Sequence, residues 1–151
     1  MAHWADGKWK TITGTVAQVV EKVITHSPSA TTTLLSFTPP TTEKYTPLSA
    51  ADKRSRRYRL YFSFIVTRAR VGGTTQTVIP AISYTDTLGI SRSFGLGDTS
   101  INGGTKGTTL AGTVNIWMQP GTTLTVTAPC NSGTVGTTAA QYDVNLVLEA
   151  I

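Results

Sequence analysis

Residues 57–68, RYRLYFSFIVTR, decide the fold. Tyr58, Leu60, Phe62, Phe64 and Val66 alternate with Arg57, Arg59, Tyr61, Ser63 and Thr67. Successive side chains of a strand point to opposite faces. A period of two kept up over this length therefore predicts a strand with one face buried and one outward. Ile65 falls in the outward set with Tyr61.

Downstream the same pattern repeats. Residues 75–86 read as a strand with Val78, Ile82 and Tyr84 on one face. Pro80 shares that face and has no N–H to donate to a ladder, so an edge position or a bulge is expected there. Residues 90–94 read as a short strand and 95–107 as a glycine-rich loop. Residues 110–118 follow, with Val114, Ile116 and Met118 inward and Asn115 and Trp117 outward. Gln119-Pro120-Gly121-Thr122 is a hairpin turn, because Pro fixes one central φ and Gly accepts a positive φ at the next. Residues 123–128 return with Leu124, Val126 and Ala128 inward and three Thr outward. A small polar loop, 129–140, leads to a last strand over 141–151 with Tyr142, Val144, Leu146 and Leu148 on one face.

Upstream, 32–38 reads as a strand stopped by Pro39-Pro40, and 41–55 as a polar loop. Residues 11–26 are ambiguous. Val16, Val19, Val20 and Val23 are spaced like a helix face, but the segment is rich in β-branched residues, and composition tips the reading to a strand. Residues 1–10 read as an extended arm carrying Trp4 and Trp9. Bulky aromatics on an arm are costly to leave wet, so they are expected to dock on their own domain or on a neighbour.

The expected architecture is all-β: a single-domain antiparallel jelly-roll sandwich of about eight strands with an extended N-terminal arm. Residues 1–24 hold the arm and first element, and 25–151 the jelly roll. Composition agrees. Twenty-nine of the 151 residues are Thr, and only 14% are charged. Thr suits a pleated, half-buried surface. Nothing in the chain supports a coiled coil, a membrane helix of roughly 20 apolar residues or a disordered tail. The lone Cys130 predicts a free, inert thiol, and the polar start without an apolar h-region predicts no signal peptide and folding in a cytoplasm.

Charge is concentrated. The formal net charge is +5, and Lys53, Arg54, Arg56, Arg57, Arg59, Arg68 and Arg70 fall in one stretch beside Asp52. Such a cluster fits a solvated strand edge or a contact with an acidic protein surface. Direct nucleic-acid binding is not expected, because no recognition motif or stacking aromatics accompany the cluster. Catalysis finds little support. The histidines are His3 and His26, and nothing in the sequence positions His26 as a base. Asp86 and Asp98 are the best carboxylate pair for glycoside chemistry, but their positions suit turn or cap residues. No metal-ligand cluster and no phosphate loop is present. The interface candidates are instead Trp4, Trp9, Arg54, Arg56, Arg57, Arg59, Tyr61, Trp117 and Ile151. Tyr61, Ile65, Trp117, Val147 and Ile151 all point outward, and several apolar residues on one face mark a subunit contact.

Residues 56–89 (RRYRLYFSFIVTRARVGGTTQTVIPAISYTDTLG), 113–128 (TVNIWMQPGTTLTVTA), 142–151 (YDVNLVLEAI) and 32–40 (TTLLSFTPP) together resemble the jelly-roll domains of tailed-bacteriophage structural proteins. The pattern is similar to trimeric jelly rolls of the TNF and C1q type. It spans about residues 25–151 and consists of strand ends and turn residues. The resemblance implies a homotrimer that acts by binding. The chain looks most like a capsid decoration (cement) protein, made in the host cytoplasm and seated on the capsid exterior with the major capsid protein as partner. It would use no enzyme chemistry, cofactor, metal or membrane. The alternative is a receptor- or glycan-binding module of a phage tail or fibre.

Overall fold

In a computed structural model, residues 2–5, 8–11, 15–39, 56–97 and 100–151 are described, and all regular structure among them is β-strand. In chain order the first strands are β1 (Ala2–Ala5), β2 (Lys8–Thr11), β3 (Thr15–Thr25), β4 (Thr31–Phe37) and β5 (Arg56–Arg68). The middle of the chain forms β6 (Val71–Gly73), β7 (Thr77–Val78), β8 (Ala81–Thr85), β9 (Ser91–Gly95) and β10 (Ile101–Asn102). The last four are β11 (Thr109–Met118), β12 (Leu124–Pro129), β13 (Val135–Thr138) and β14 (Gln141–Ala150).

Eight of these strands make two four-stranded antiparallel sheets. Their orders are β11-β5-β14-β3 and β4-β12-β8-β9. Numbered among themselves, strands one, three, six and eight share the first sheet, and two, four, five and seven the second. This interleaving is the jelly roll, two Greek keys folded face to face. Leu60, Phe64 and Val66 of β5 meet Leu146 and Leu148 of β14, Ile116 of β11, and Leu124, Val126 and Ile82 from the opposite sheet in one buried core. Every inward residue predicted on β5 is buried: Tyr58, Leu60, Phe62, Phe64 and Val66. Phe37 packs edge-on against Tyr58, ring centroids 5.3 Å apart, where the two sheets close at one end.

Several sequence expectations are corrected in detail. The segment 75–86 is not one strand. It breaks at Ile79-Pro80 into β7 and β8, because Pro80 has no N–H and its carbonyl instead accepts the Leu96 N–H at 2.7 Å. The segment 129–140 is not all loop, since β13 pairs with β6. Only glycine fits that pairing, because a Cβ on Gly73 would run into the Thr134 carbonyl oxygen. The glycine-rich stretch 95–107 contains β10, which pairs with β7. The last strand stops at Ala150, one residue short. Residues 15–25 are strand, with the valines split between its two faces. A bulge opposite Leu148–Glu149 disturbs the register near Val16. At the N-terminus Ala2–Ala5 and Lys8–Thr11 pair as two strands, with Trp4 opposite Trp9. The Pro120-Gly121 turn forms, Gly121 taking φ +77°, but it is not a hairpin: β11 and β12 lie in different sheets, so it carries the chain from one sheet to the other.

Strand directions give the molecule two poles. Thr15, Phe37, Arg56, Thr85, Ser91, Met118, Leu124 and Ala150 lie at the first. Phe37 and Arg56 flank the segment 40–55 in sequence, and Ile151 ends the chain at the same pole. The turn 26–30, β6, β7, β10 and β13 lie at the far pole. Replacing the fully buried Phe64 by Ala should cost about 3–5 kcal/mol in denaturant unfolding, and Thr127→Ala on an outer face should stay within about 0.5 kcal/mol. Equal midpoints for the two variants would contradict this core.

Candidate functional site

Of the candidate contact residues, Arg57, Arg59, Tyr61, Trp117 and Ile151 lie at the first pole and on the adjoining outer face of the first sheet. Arg57 lies opposite Trp117 across β5 and β11, and the Ile151 N–H donates to the Arg57 carbonyl at 3.0 Å. Trp117 and Ile151 are 46% and 42% exposed. One row inward, Arg59 faces Asn115 on β11 and Glu149 on β14. Its Nε donates to Asn115 Oδ1 at 3.3 Å and its Nη1 to the Tyr61 hydroxyl at 3.2 Å. The Tyr61 hydrogen bond, aided by the fields of Tyr61 and Glu149, raises the guanidinium above its ordinary value. The two hydrogen bonds tie the Arg59 guanidinium to neighbouring outward side chains. Arg56 opens β5 opposite Met118. Arg54 lies outside the described residues. For Trp4 and Trp9 the structure gives their backbone pairing alone.

The same pole carries two apolar residues that the strand pattern did not single out. Leu88, 79% exposed, and Ile90 sit on the β8–β9 hairpin loop. The signal was present as apolar residues inside a turn between two strands. Asp86 holds this loop. Its Oδ1 accepts the Leu88 and Ile90 N–H groups, each at 2.9 Å. Its Oδ2 takes Arg92 Nε and Nη2, both at 2.7 Å. The Ile90 N–H above all, then Arg92 and the Leu88 N–H, hold the carboxyl below its ordinary value against the opposing effect of burial. The loop is also tied to the end of β11, since the Gln119 N–H donates to the Thr85 carbonyl at 3.0 Å.

Of the groups weighed for catalysis, Asp86 and His26 hold loops. Asp86 is the turn residue just described, and Asp98 lies outside the described residues. His26 is buried at the far pole, where its Nε2 meets Asn131 Oδ1 at 2.9 Å. That oxygen also accepts the Thr77 N–H, so it acts as an acceptor and His26 Nε2 as the donor. The fully buried Gln76 side chain accepts the Ala140 N–H and donates to the Thr134 carbonyl. Its backbone carbonyl accepts the Tyr142 hydroxyl at 3.1 Å. Burial, then the neighbouring Cys130, pushes that phenol up to about 12. These bonds pin the far-pole loops. Cys130 is a free, buried thiol. No cluster of metal-ligating side chains occurs among the described residues.

No family model matches the chain, and no curated protein matches it. Among solved structures it is similar to a chain in the structure of infectious bursal disease virus, Gx strain, with TM-score 0.51 and 14% identity over 88% of this chain. A Gt-strain structure of that virus gives TM-score 0.49 at 16% identity over 91% of this chain. The D431N mutant VP2 protein of that virus, in derived T=1 particles, gives 0.44 at 15% identity over 88%. The chain spans about a third of the length of each: 31%, 32% and 35%. The first match agrees with the strand order in defining the class: an all-β jelly-roll sandwich.

Asp86 makes the hairpin acid-sensitive with a definite sign. Its folded-state pKa is depressed, so its contribution to stability is full above the ordinary carboxylate value of 3.8. That contribution is lost as the pH falls through the folded value. Asp86→Asn should melt lower than wild type at neutral pH, and the gap should narrow in thermal melts recorded at progressively lower pH. A gap that is constant with pH would refute the clamp.

Proposed function

We propose that the chain is a structural protein of a virus particle, a trimeric capsid decoration protein of a tailed bacteriophage that binds the outer shell and stabilises the head. One observation carries the reading. The exposed Trp117, Ile151, Leu88 and Ile90 and the cation Arg57 gather at one pole, the pole from which the N-terminal strands and the basic segment depart. The jelly-roll fold, similar to a chain of a virus structure, supports a place in a particle. The candidate catalytic side chains Asp86 and His26 are engaged in holding loops.

The mechanism is mass action. A protein that binds the assembled lattice and not its free subunits stabilises the lattice by the free energy of that binding. The clamped hairpin presents Leu88 with its backbone already ordered, which lowers the entropic cost of docking. Lys53 and Arg54, in the sequence leading into β5, suit an acidic rim on the major capsid protein. Trp4 and Trp9 of the N-terminal strands are the further anchors in this reading.

Light scattering should give a mass three times the 16.0 kDa chain, and removal of residues 1–10 should weaken the trimer or its shell binding. The protein should co-sediment with expanded phage heads and raise their melting temperature. A monomer that stays in the supernatant would refute the reading.

A second reading, a glycan- or receptor-binding module of a tail or fibre, is favoured by one feature. A shallow hollow of about 260 Å³ on the second sheet is lined by Tyr84, Arg92 and hydroxyls of Ser83, Thr85, Ser91, Ser93 and Thr123. The loops 95–109 and 129–140 carry no Trp or Tyr to stack on a sugar ring. A glycan array without a hit would remove this reading, and a hit lost in Tyr84→Ala would establish it.

A further inference from the structure

The two sheets share one architecture but have very different outer faces. On the second sheet, Ser36, Thr125, Ser83 and Ser93 form one cross-strand row. Thr33, Thr127, Ala81 and Gly95 form the next. These side chains are small, uncharged and hydroxyl-rich. On the first sheet, Val19 faces Val147, which faces Tyr61. Val23 faces Asp143, which faces Ile65. Val16, Val19 and Val23 are each more than half exposed. All three lie on β3, an eleven-residue strand at the edge of its sheet. A chain with 29 Thr had an obvious alternative at these positions. A long edge strand with an apolar outer side is a site for association unless it is covered.

Charge on this face is divided as well. Glu21, Asp143 and Glu149 lie on β3 and β14, while Arg57 and Arg59 lie on β5. Lys22 takes no part, because it reaches round the edge to the Thr33 carbonyl of the other sheet. A face that is acidic and valine-lined on one half and basic with an exposed Trp on the other is complementary to a second copy of itself placed head to tail.

We propose that the outer face of the β11-β5-β14-β3 sheet docks a second copy of this chain, the β3–β14 half of one copy against the β5–β11 half of the next. Such a contact is heterologous and closes into a ring when the rotation allows. The proposal rests on the decoration-protein reading only for the ring's having three members.

The test is light scattering on the full chain, comparing wild type with Val19→Lys/Val23→Lys and with Ser83→Lys/Ser93→Lys on the opposite sheet. All four positions are exposed, so circular dichroism should be unchanged. The valine variant should fall to the 16.0 kDa monomer while the serine variant keeps the wild-type mass. Charge gives a second readout. Glu21→Arg/Asp143→Arg should weaken the assembly, and adding Arg57→Glu should restore part of it. A wild-type trimer whose valine variant keeps its mass would overturn this face and leave the trimer standing. A wild-type dimer dissociated by the valine change would support the face and overturn the trimer. A folded wild-type monomer at every concentration would overturn both.

Discussion

The structure depends on the burial of the inner face of β5. Five large side chains point one way from Arg56–Arg68, and Arg57 and Arg59 are among the residues that alternate with them. The inner set can leave water only if other apolar faces close over it, from β14 and β11 alongside and from the second sheet above. Burying that surface is the main favourable contribution to folding. It also forces the two arginines and Tyr61 outward. The chemistry of this outer face is thus a consequence of the core, because period 2 leaves no other place for those side chains.

The jelly-roll connectivity then decides what the outward residues meet. With β5 between β11 and β14, Arg57 is brought beside Trp117 and Arg59 between Asn115 and Glu149. Residues far apart in the chain become neighbours on one face. The same connectivity separates the poles. Buried amides, His26 and close-packed glycines tie down the far one. At the other lie the exposed Trp117, Ile151, Leu88 and Ile90, and there Asp86 and Arg92 fix the hairpin that presents Leu88. The proposed role uses both parts: a rigid end, and an end whose exposed residues are ordered before they bind.

Much of this was legible in the sequence, for identifiable reasons. The β5, β11, β12 and β14 segments alternate cleanly because one face of each is buried, and the Pro120-Gly121 turn announces itself chemically. The outward direction of Tyr61 and Trp117 followed from the same parity. Where both faces of a strand carry apolar residues, parity fails. Residues 15–25 imitate a helix because Val19 and Val23 serve the outer face, Val20 and Ile24 turn to the core, and a bulge shifts the register. The pairing of β6 with β13 was hidden because it depends on the close approach of glycines, which leave no hydrophobic pattern. The role of Asp86 was visible as a turn residue. That it would present Leu88 depends on Arg92 arriving from the next strand.

Hydrogen exchange followed by mass spectrometry at low and high protein concentration tests the central claim most directly, that this jelly roll acts through the outer face of its first sheet. Exchange slows where a surface is covered or its opening is suppressed. Peptides spanning 15–25 and 56–68 should become more protected as concentration rises, while those spanning 81–95 on the hydroxyl-clad sheet should not change. Protection that rises on 81–95 and not on 15–25, or that is independent of concentration throughout, would contradict it.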